Sequence, residues 1–550
     1  MLSKFTDFRV KPLSNSLSRQ YSSALTTLLV MDLEGLPPEL VWHILDNLTD
    51  LRDRKNASLV CKSWNWMLFN SPVSLRCIRL RVCPKVASLD RTEAEEVFNQ
   101  MSDVMVHSKR NYINVEFFHM NFERPMAREL LFFLVQLCCD SIVRLYFTNC
   151  HGLRRSELWQ VLELLPGLKE LAVSGGIYYD EFDNEADITE LNQLESLTLD
   201  IGDDCRLYQD FSTITPELTS FNVRTIHGCV DLRDVVLTRN FSHQLNTLRF
   251  STNRCFNQSE FSDMNFTNLT KLDLKLSGSV WPQLFKQMKL LTELQLDAGI
   301  NDEVIAAICG TSTKLRKLSL LCSGLVECKK FNMLNRLENL EDLQLRGIYK
   351  FSWRHVVFSK LRRLHVDNVA TDFTNFLKEL TALKSLEIHD TKLKNEQLIK
   401  FTLNIPSVER LELAFCNKLS DKAFKHLADM PNLKELRLWG INVSKSIDER
   451  MLCPKLKTII FYFNDNIEDS TLDAIAHKLP NLRLLVLYDC YRISPQGVAN
   501  LRKAMPTCSV LELYRGDELP PALVAESQIY YRNAEFPNGV LKQELPFQWY

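Results

Sequence analysis

Residues 408–416 read VERLELAFC, residues 482–490 read LRLLVLYDC and residues 142–150 read IVRLYFTNC. Each segment has apolar residues at its first, fourth and sixth positions and a cysteine at its ninth. The fourth and sixth positions are two apart. In an extended strand both side chains therefore leave on one side, and the residues flanking them leave on the other. The same pattern begins at residues 142, 168, 194, 218, 245, 269, 291, 315, 340, 361, 383, 408, 433, 456, 482 and 508, at spacings of 21 to 27. The last copy is read as Cys508/Leu511/Leu513, and a weaker one precedes the series at Tyr112/Val115/Phe117. Burying one aliphatic chain is worth roughly 1.5–3 kcal/mol. Two or three such chains cannot offset the ordering of a whole unit, so the copies must stack on one another.

The segments between strands carry a helical period. Residues 419–430, LSDKAFKHLADM, offer Ser420 or Asp421 as a cap and put Ala423, Phe424 and Leu427 on one face; residues 471–479 repeat the pattern. These copies resemble the leucine-rich repeat, in its cysteine-containing subtype, on the strength of the L-x-x-L-x-L spacing and of Cys150, Cys416 and Cys490. The resemblance implies an α/β solenoid, a horseshoe of about 16–17 repeats with a parallel sheet on its concave face. It also implies that those cysteines are buried in the turn leaving each strand.

Ahead of the repeats, residues 34–70 read EGLPPELVWHILDNLTDLRDRKNASLVCKSWNWMLFN. Pro37 and Pro38 suit a first helical turn. Leu40, Ile44, Leu45 and Leu48 follow at helical spacing. Asp53 can cap a second helix carrying Ala57, Val60, Cys61 and Trp64, and Asn70-Ser71-Pro72 supplies a stop. So short a helical module buries little by itself. It reads either as a cap sealing the repeat array or as a docking module. Leu36-Pro37, Ile44-Leu45 and Val60-Cys61-Lys62-Ser63-Trp64, in that order and span, resemble the F-box family. Pairing of an F-box with leucine-rich repeats is a known family architecture. The resemblance implies docking on a Skp-type adaptor, and through it on a cullin-RING scaffold, by Leu36, Pro37, Leu40, Ile44, Leu45, Leu48, Val60, Cys61 and Trp64. Arg52 to Lys55 depart from the family by making the middle of the module highly charged.

Composition agrees with a protein-binding role. The formal net charge is −2, with 45% apolar and 24% charged residues, which argues against a general binder of nucleic acid or anionic membrane. The 16 cysteines show no paired C-x-x-C spacing for zinc, so they read as reduced, buried thiols. The longest apolar run, Leu130 to Cys139, is too short to span a bilayer and reads as a core helix. Residues 1–30 hold Lys4, Arg9, Lys11 and Arg19 against Asp7 alone. That composition suits a mitochondrial transit segment, a disordered leader or an early start codon with Met31 as the true one. No P-loop, H-E-x-x-H or G-x-S-x-G motif occurs, so no catalytic residue, cofactor or metal ligand is assigned. The expected divisions are a leader at 1–32, the F-box at 33–73, a linker and cap with a divergent first repeat at 74–141, repeats at 142–516 and an aromatic tail at 517–550.

On the solvent-facing strand positions, the central repeats offer mixed charges, including Lys271, Asp273, Lys275, Arg363, His365 and Asp367, which read as a solvated surface. The last repeats differ. Arg437, Trp439, Ile460, Tyr462, Leu484, Val486, Tyr488 and Tyr514 form an apolar, aromatic stripe, the expected substrate-binding site. The tail carries Tyr530, Tyr531, Phe536, Phe547, Trp549 and Tyr550 and is long enough to fold back over that stripe. The F-box and leucine-rich-repeat resemblance implies the substrate-recognition adaptor of a Skp-cullin-F-box ubiquitin ligase, cytoplasmic or nuclear, that presents a protein target for proteasomal degradation. The alternative is a non-degradative repeat scaffold or inhibitor, with a mitochondrial location left open.

Overall fold

The computed structural model describes residues 79–82, 112–178, 190–200, 215–225, 242–252, 265–327, 329–349, 356–367, 374–389, 392–441 and 455–514, with Leu45, Trp64, Met67, Phe211 and Cys453 as single positions. The leader at 1–32 and the tail at 517–550 lie outside the described residues. The chain forms two compact units, Met1–Phe241 and Ser242–Tyr550.

Among the described residues, the first unit has six strands: β1 (Leu80–Val82), β2 (Asn114–Phe118), β3 (Arg144–Arg154), β4 (Glu170–Tyr178), β5 (Ser196–Asp200) and β6 (Ser220–Thr225). Each pairs in parallel with the next. Val115, Leu145, Leu171, Leu197 and Phe221 stand in one row, and Phe117, Phe147, Val173, Leu199 and Val223 in the next. The weak copy at Tyr112/Val115/Phe117 is thus a true rung. β1, which the repeat pattern did not reveal, adds another. Phe117 stacks on Phe147 at 5.5 Å, and Phe122 meets both edge-on.

The second unit continues the scheme with twelve strands, β7 (Thr247–Thr252), β8 (Lys271–Ser279), β9 (Glu293–Gly299), β10 (Lys317–Glu327), β11 (Asp342–Tyr349), β12 (Arg363–Asp367), β13 (Ser385–His389), β14 (Arg410–Ala414), β15 (Glu435–Trp439), β16 (Thr458–Tyr462), β17 (Leu484–Tyr488) and β18 (Ser509–Leu513). All these pairings are parallel, and in register apart from shifts between Lys275 and Ser279 and between Leu321 and Val326. The two inward residues of every strand from β7 to β17 are at most 3% exposed. The ladder of aliphatic side chains is therefore the core, as the spacing requires. The fold is a leucine-rich-repeat solenoid.

Helices return the chain between several strands: α1 (Pro125–Cys138), α2 (Arg155–Glu163), α3 (Asp302–Thr311), α4 (Asn395–Asn404), α5 (Asp469–Lys478) and α6 (Pro495–Ala504). α1 holds most of the long apolar run and buries Leu130, Leu131, Leu134, Val135 and Cys138. No helix among the described residues is long and apolar enough to cross a membrane. Asn301 caps α3 by accepting from the N–H groups of Glu303 and Val304, which the first turn cannot satisfy internally. Ser420 takes the cap position ahead of Asp421–Phe424, but its hydroxyl accepts from the Asn395 amide instead.

The turns at β2 and β3 and those leaving β14–β17 repeat one solution. His119, Asn149, Phe415, Phe463, Asp489 and Gly440 all have φ between 50° and 54°. This left-handed geometry is uncommon for any residue but glycine. It aims an N–H at the neighbouring strand: Phe415 donates to Trp439 O at 2.9 Å, Gly440 to Tyr462 O at 2.8 Å and Phe463 to Tyr488 O at 2.9 Å. The following residue turns inward to meet the freed backbone. Cys150, Cys416 and Cys490 point their thiols at strand carbonyls between 3.2 and 3.9 Å away. Asn464 takes the same position with a fuller set. Its amide donates to Leu438 O at 2.8 Å and Tyr462 O at 3.0 Å, and its carbonyl accepts from Ile441 N at 2.8 Å.

One rung departs from the sequence reading. Val510, not Leu511, pairs with Leu485, so the core-side residues of β18 are Val510 and Glu512. Leu511 and Leu513 pass to the opposite face. Since side chains alternate, a shift by one residue exchanges the two faces. Glu512 is tolerated because β18 closes the described ladder, where Arg502 pairs with it at 3.0 Å.

Replacing Asn464 with Ala would remove three hydrogen bonds to buried backbone groups, of which Tyr462 O keeps another from Gly440 N. It is expected to lower unfolding free energy by about 2–4 kcal/mol in urea titrations. Arg492→Ala, removing an exposed pair with Glu468, is expected to change it by less than about 0.5 kcal/mol. Equal effects would show that Asn464 does not hold the turn.

Candidate recognition face

Strand alternation leaves three residues per strand on the face away from the leucine core. In register, these form rows whose chemistry changes along the second unit. From β8 to β12 the rows hold opposite charges on neighbouring strands. Lys271 meets Glu293 at 3.0 Å, Lys275 meets Asp297 at 3.5 Å, Arg363 meets Asp342 at 2.9 Å and Arg346 meets Asp367 at 3.1 Å. Most of the cationic partners are 37–52% exposed, so each pair contributes little net stability. This stretch matches the solvated surface expected of it, apart from buried His365.

From β12 to β15 the middle row becomes buried and polar. His365 Nδ1 lies 2.9 Å from Glu387, and the rings of His365 and His389 are 4.8 Å apart. His389 Nε2 lies 3.7 Å from Glu412, on the next strand. Glu412 is 1% exposed. Burial, and then the Glu387 carboxylate beside it, push its carboxyl up to about 8, against the opposing pull of Arg437. Burial, and then His365, hold His389 well below the ordinary imidazole range. Both groups therefore sit neutral in the fold near pH 7. Arg437 stays charged. Its Nε donates to Glu435 at 2.6 Å, while Glu412 is 3.8 Å from its Nη1.

From β14 to β18 the rows are apolar and aromatic. Ala414, Trp439, Tyr462, Tyr488 and Leu513 align across five strands. Trp439 stacks on Tyr462 at 3.6 Å with ring planes 13° apart, and Tyr462 meets Tyr488 at 5.8 Å. Ile460 and Val486 complete the cluster, with Phe463, Leu484, Leu511 and Leu513 packed at its margin.

The expected stripe is thus brought together, but not as a solvent-facing surface. Arg437, Trp439, Ile460, Tyr462, Val486 and Tyr488 are at most 4% exposed. Leu484 is half-buried. Tyr514, 54% exposed, lies beyond β18 and outside the row, because the register of that strand puts Leu513 there. Arg437 is held between carboxylates rather than offered to a ligand. Of the nine F-box positions, the described ones are Leu45, helical and buried, and Trp64, helical and half-buried. Leu36, Pro37, Leu40, Ile44, Leu48, Val60 and Cys61 lie outside the described residues. The sequence reading missed the Glu387–Glu412–His389 group, in which Glu412 and His389 are buried. Aligning the outward positions of successive repeats would have exposed it, since two acids then fall side by side next to Arg437.

Glu412 predicts a pH dependence. Its carboxyl keeps a proton in the fold up to about pH 8, whereas the unfolded chain loses it near the ordinary value. Between the two, folding takes up a proton. Stability therefore declines as pH rises, by at most roughly 1.4 kcal/mol per pH unit. Glu412→Gln removes this dependence, so the variant should gain on the parent progressively from about pH 5 to pH 8 in denaturant titrations. A constant difference would mean that Arg437 keeps Glu412 ionised. Trp439→Ala should cost about 3–5 kcal/mol by the same measurement. An unchanged midpoint would place the indole in solvent.

Comparison with known proteins adds the N-terminal module. Residues 33–73 match the F-box-like family model. Over 147 residues, 26% of this chain, the sequence is 31% identical to F-box/LRR-repeat protein 4 of Bos taurus. That match spans 24% of the bovine protein's length. Among solved structures, the yeast Rad7 and Elc1 complex aligns over 91% of this chain and 98% of the other at 14% identity and a TM-score of 0.38. An internalin from Listeria monocytogenes aligns over 65% and 83% at 16% identity and a TM-score of 0.33. Residues 33–73 thus match the F-box-like model and precede a ladder of leucine-rich repeats, an arrangement similar to that of the F-box/leucine-rich-repeat proteins.

Proposed function

We propose that this chain is the substrate-recognition subunit of a Skp-cullin-F-box ubiquitin ligase. The F-box-like match at residues 33–73, joined in one chain to a repeat ladder, carries the reading. Leu36, Pro37, Leu40, Ile44, Leu45, Leu48, Val60, Cys61 and Trp64 form the adaptor-binding surface, and the outer face of β14–β18 receives the protein target. The gain is proximity. Tethering a target beside a ubiquitin-charged enzyme raises the effective concentration of its lysines without any chemistry in this chain.

Seven of the described thiols are poorly suited to nucleophilic chemistry. A nucleophilic cysteine needs a lowered pKa and access to solvent. Burial instead pushes Cys150, Cys309 and Cys453 up to about 12, and Cys138, Cys322, Cys490 and Cys508 up to about 11.

Co-purification and calorimetry with a Skp-type adaptor test the proposal. The parent chain should bind in a one-to-one complex, and Leu36→Ala with Pro37→Ala should weaken it at least about tenfold, a loss of about 1.4 kcal/mol, with the melting curve unchanged. Absence of binding by the parent would leave a repeat scaffold with no route to ubiquitination.

A further inference from the structure

Trp439, Tyr462 and Tyr488 are at most 4% exposed, although they stand on a sheet face. Strands spaced about 4.8 Å apart shield the flanks of each other's side chains, but leave their outer ends open. Burial of the whole row therefore requires a cover. The polar atoms agree. The Tyr462 hydroxyl and one Glu412 oxygen are shut away from solvent with no hydrogen-bond partner among the described residues.

The position of the patch indicates what covers it. The aromatic cluster extends to the last strand, where Leu511 and Leu513 pack against it. The chain leaves β18 at Leu513, on the margin of the cluster, and continues to Tyr550. Residues 517–550, fully extended, reach on the order of 100 Å, whereas five strands span roughly 20 Å. Tethering at the patch edge gives such a segment a high effective concentration there.

Its composition fits the face. Pro520, Pro521, Pro537 and Pro546 favour extended backbone, and extended proline-containing segments dock in grooves lined by Trp and Tyr rings. Phe547, Trp549 and Tyr550 bring rings to the far end. The segment holds five acidic residues against Arg532 and Lys542. Lys434, Lys455, Lys457 and Arg483 gather in a depression at the N-terminal ends of β15–β17, the strand ends opposite the aromatic row, and supply the opposite charge on the same stretch of the ladder.

We propose that residues 517–550 fold back onto the outer face of β14–β18 as its built-in occupant, so that a target gains this face only by displacing them. The covering contact is independent of the adaptor reading; the displacement by a target rests on it.

Photocrosslinking in the full-length chain tests the contact without any partner. Leu484→p-benzoyl-L-phenylalanine places the probe at the half-buried margin of the cluster. Irradiation should give intrachain cross-links into residues 517–550. In a second protein that also carries Phe547→Ala, Trp549→Ala and Tyr550→Ala, their yield should fall several-fold. The ladder is untouched by those three changes, so its circular dichroism and melting report folding separately. Cross-links to another copy, cross-links to residues 1–110, or none in a folded protein would overturn the proposal. An unchanged yield in the tail variant would overturn it too. Adaptor binding is not read in this experiment, so failure of the ligase reading leaves its outcome intact.

Discussion

The fold rests on parallel pairing in strict register between strands that are each too short to stand alone. A rung such as Arg410–Ala414 buries two aliphatic chains and exchanges backbone hydrogen bonds with a neighbour on each side. Neither contribution exists without those neighbours, so stability belongs to the stack. Register is kept by the turns. A left-handed residue after the strand sends its N–H to the next rung, and the Cys or Asn that follows satisfies the carbonyls exposed by the change of direction. Where Asn464 replaces cysteine, one side chain closes three such bonds.

The same register that builds the core also writes the outer face. Side chains between the core positions have no choice but to align with their counterparts one repeat away. A charge in one repeat meets its opposite in the next, an acid beside the acid of the preceding repeat is pushed towards its neutral form, and a Trp followed by two Tyr becomes an aromatic row. The face therefore changes from ion-paired to buried polar to aromatic over a few strands with no change in backbone plan. This separation suits a recognition protein. The core pattern can stay fixed while outward residues vary, and function lives on the varied positions.

Burial of the outer row alters what its residues can do. Arg437 would be a strong anion contact in solvent, but its pairing with Glu435 neutralises it locally. Glu412 and His389 lose their charges because desolvation outweighs the attractions available to them. The face is consequently apolar in character even where its sequence is charged.

The sequence by itself determined the repeat, its strands and the identity of the core. The spacing of apolar residues is a local code, and two-residue alternation fixes which side chains share a side. The Val-Cys-Lys-Ser-Trp block likewise identified the N-terminal module from contiguous residues. Tertiary structure alone decided three matters. The short strand at Leu80–Val82 carries too little pattern to be read without its partner β2. The final rung is shifted by one residue, because Cys508 invited an alignment that pairing with β17 overrules. The exposure of the outer face depends on what lies across it, and no periodicity in the chain encodes contacts between segments far apart. Trp439, Tyr462 and Tyr488 were legible as a row, but their burial was not, since alternation reports the side on which a ring emerges and says nothing of what it meets there.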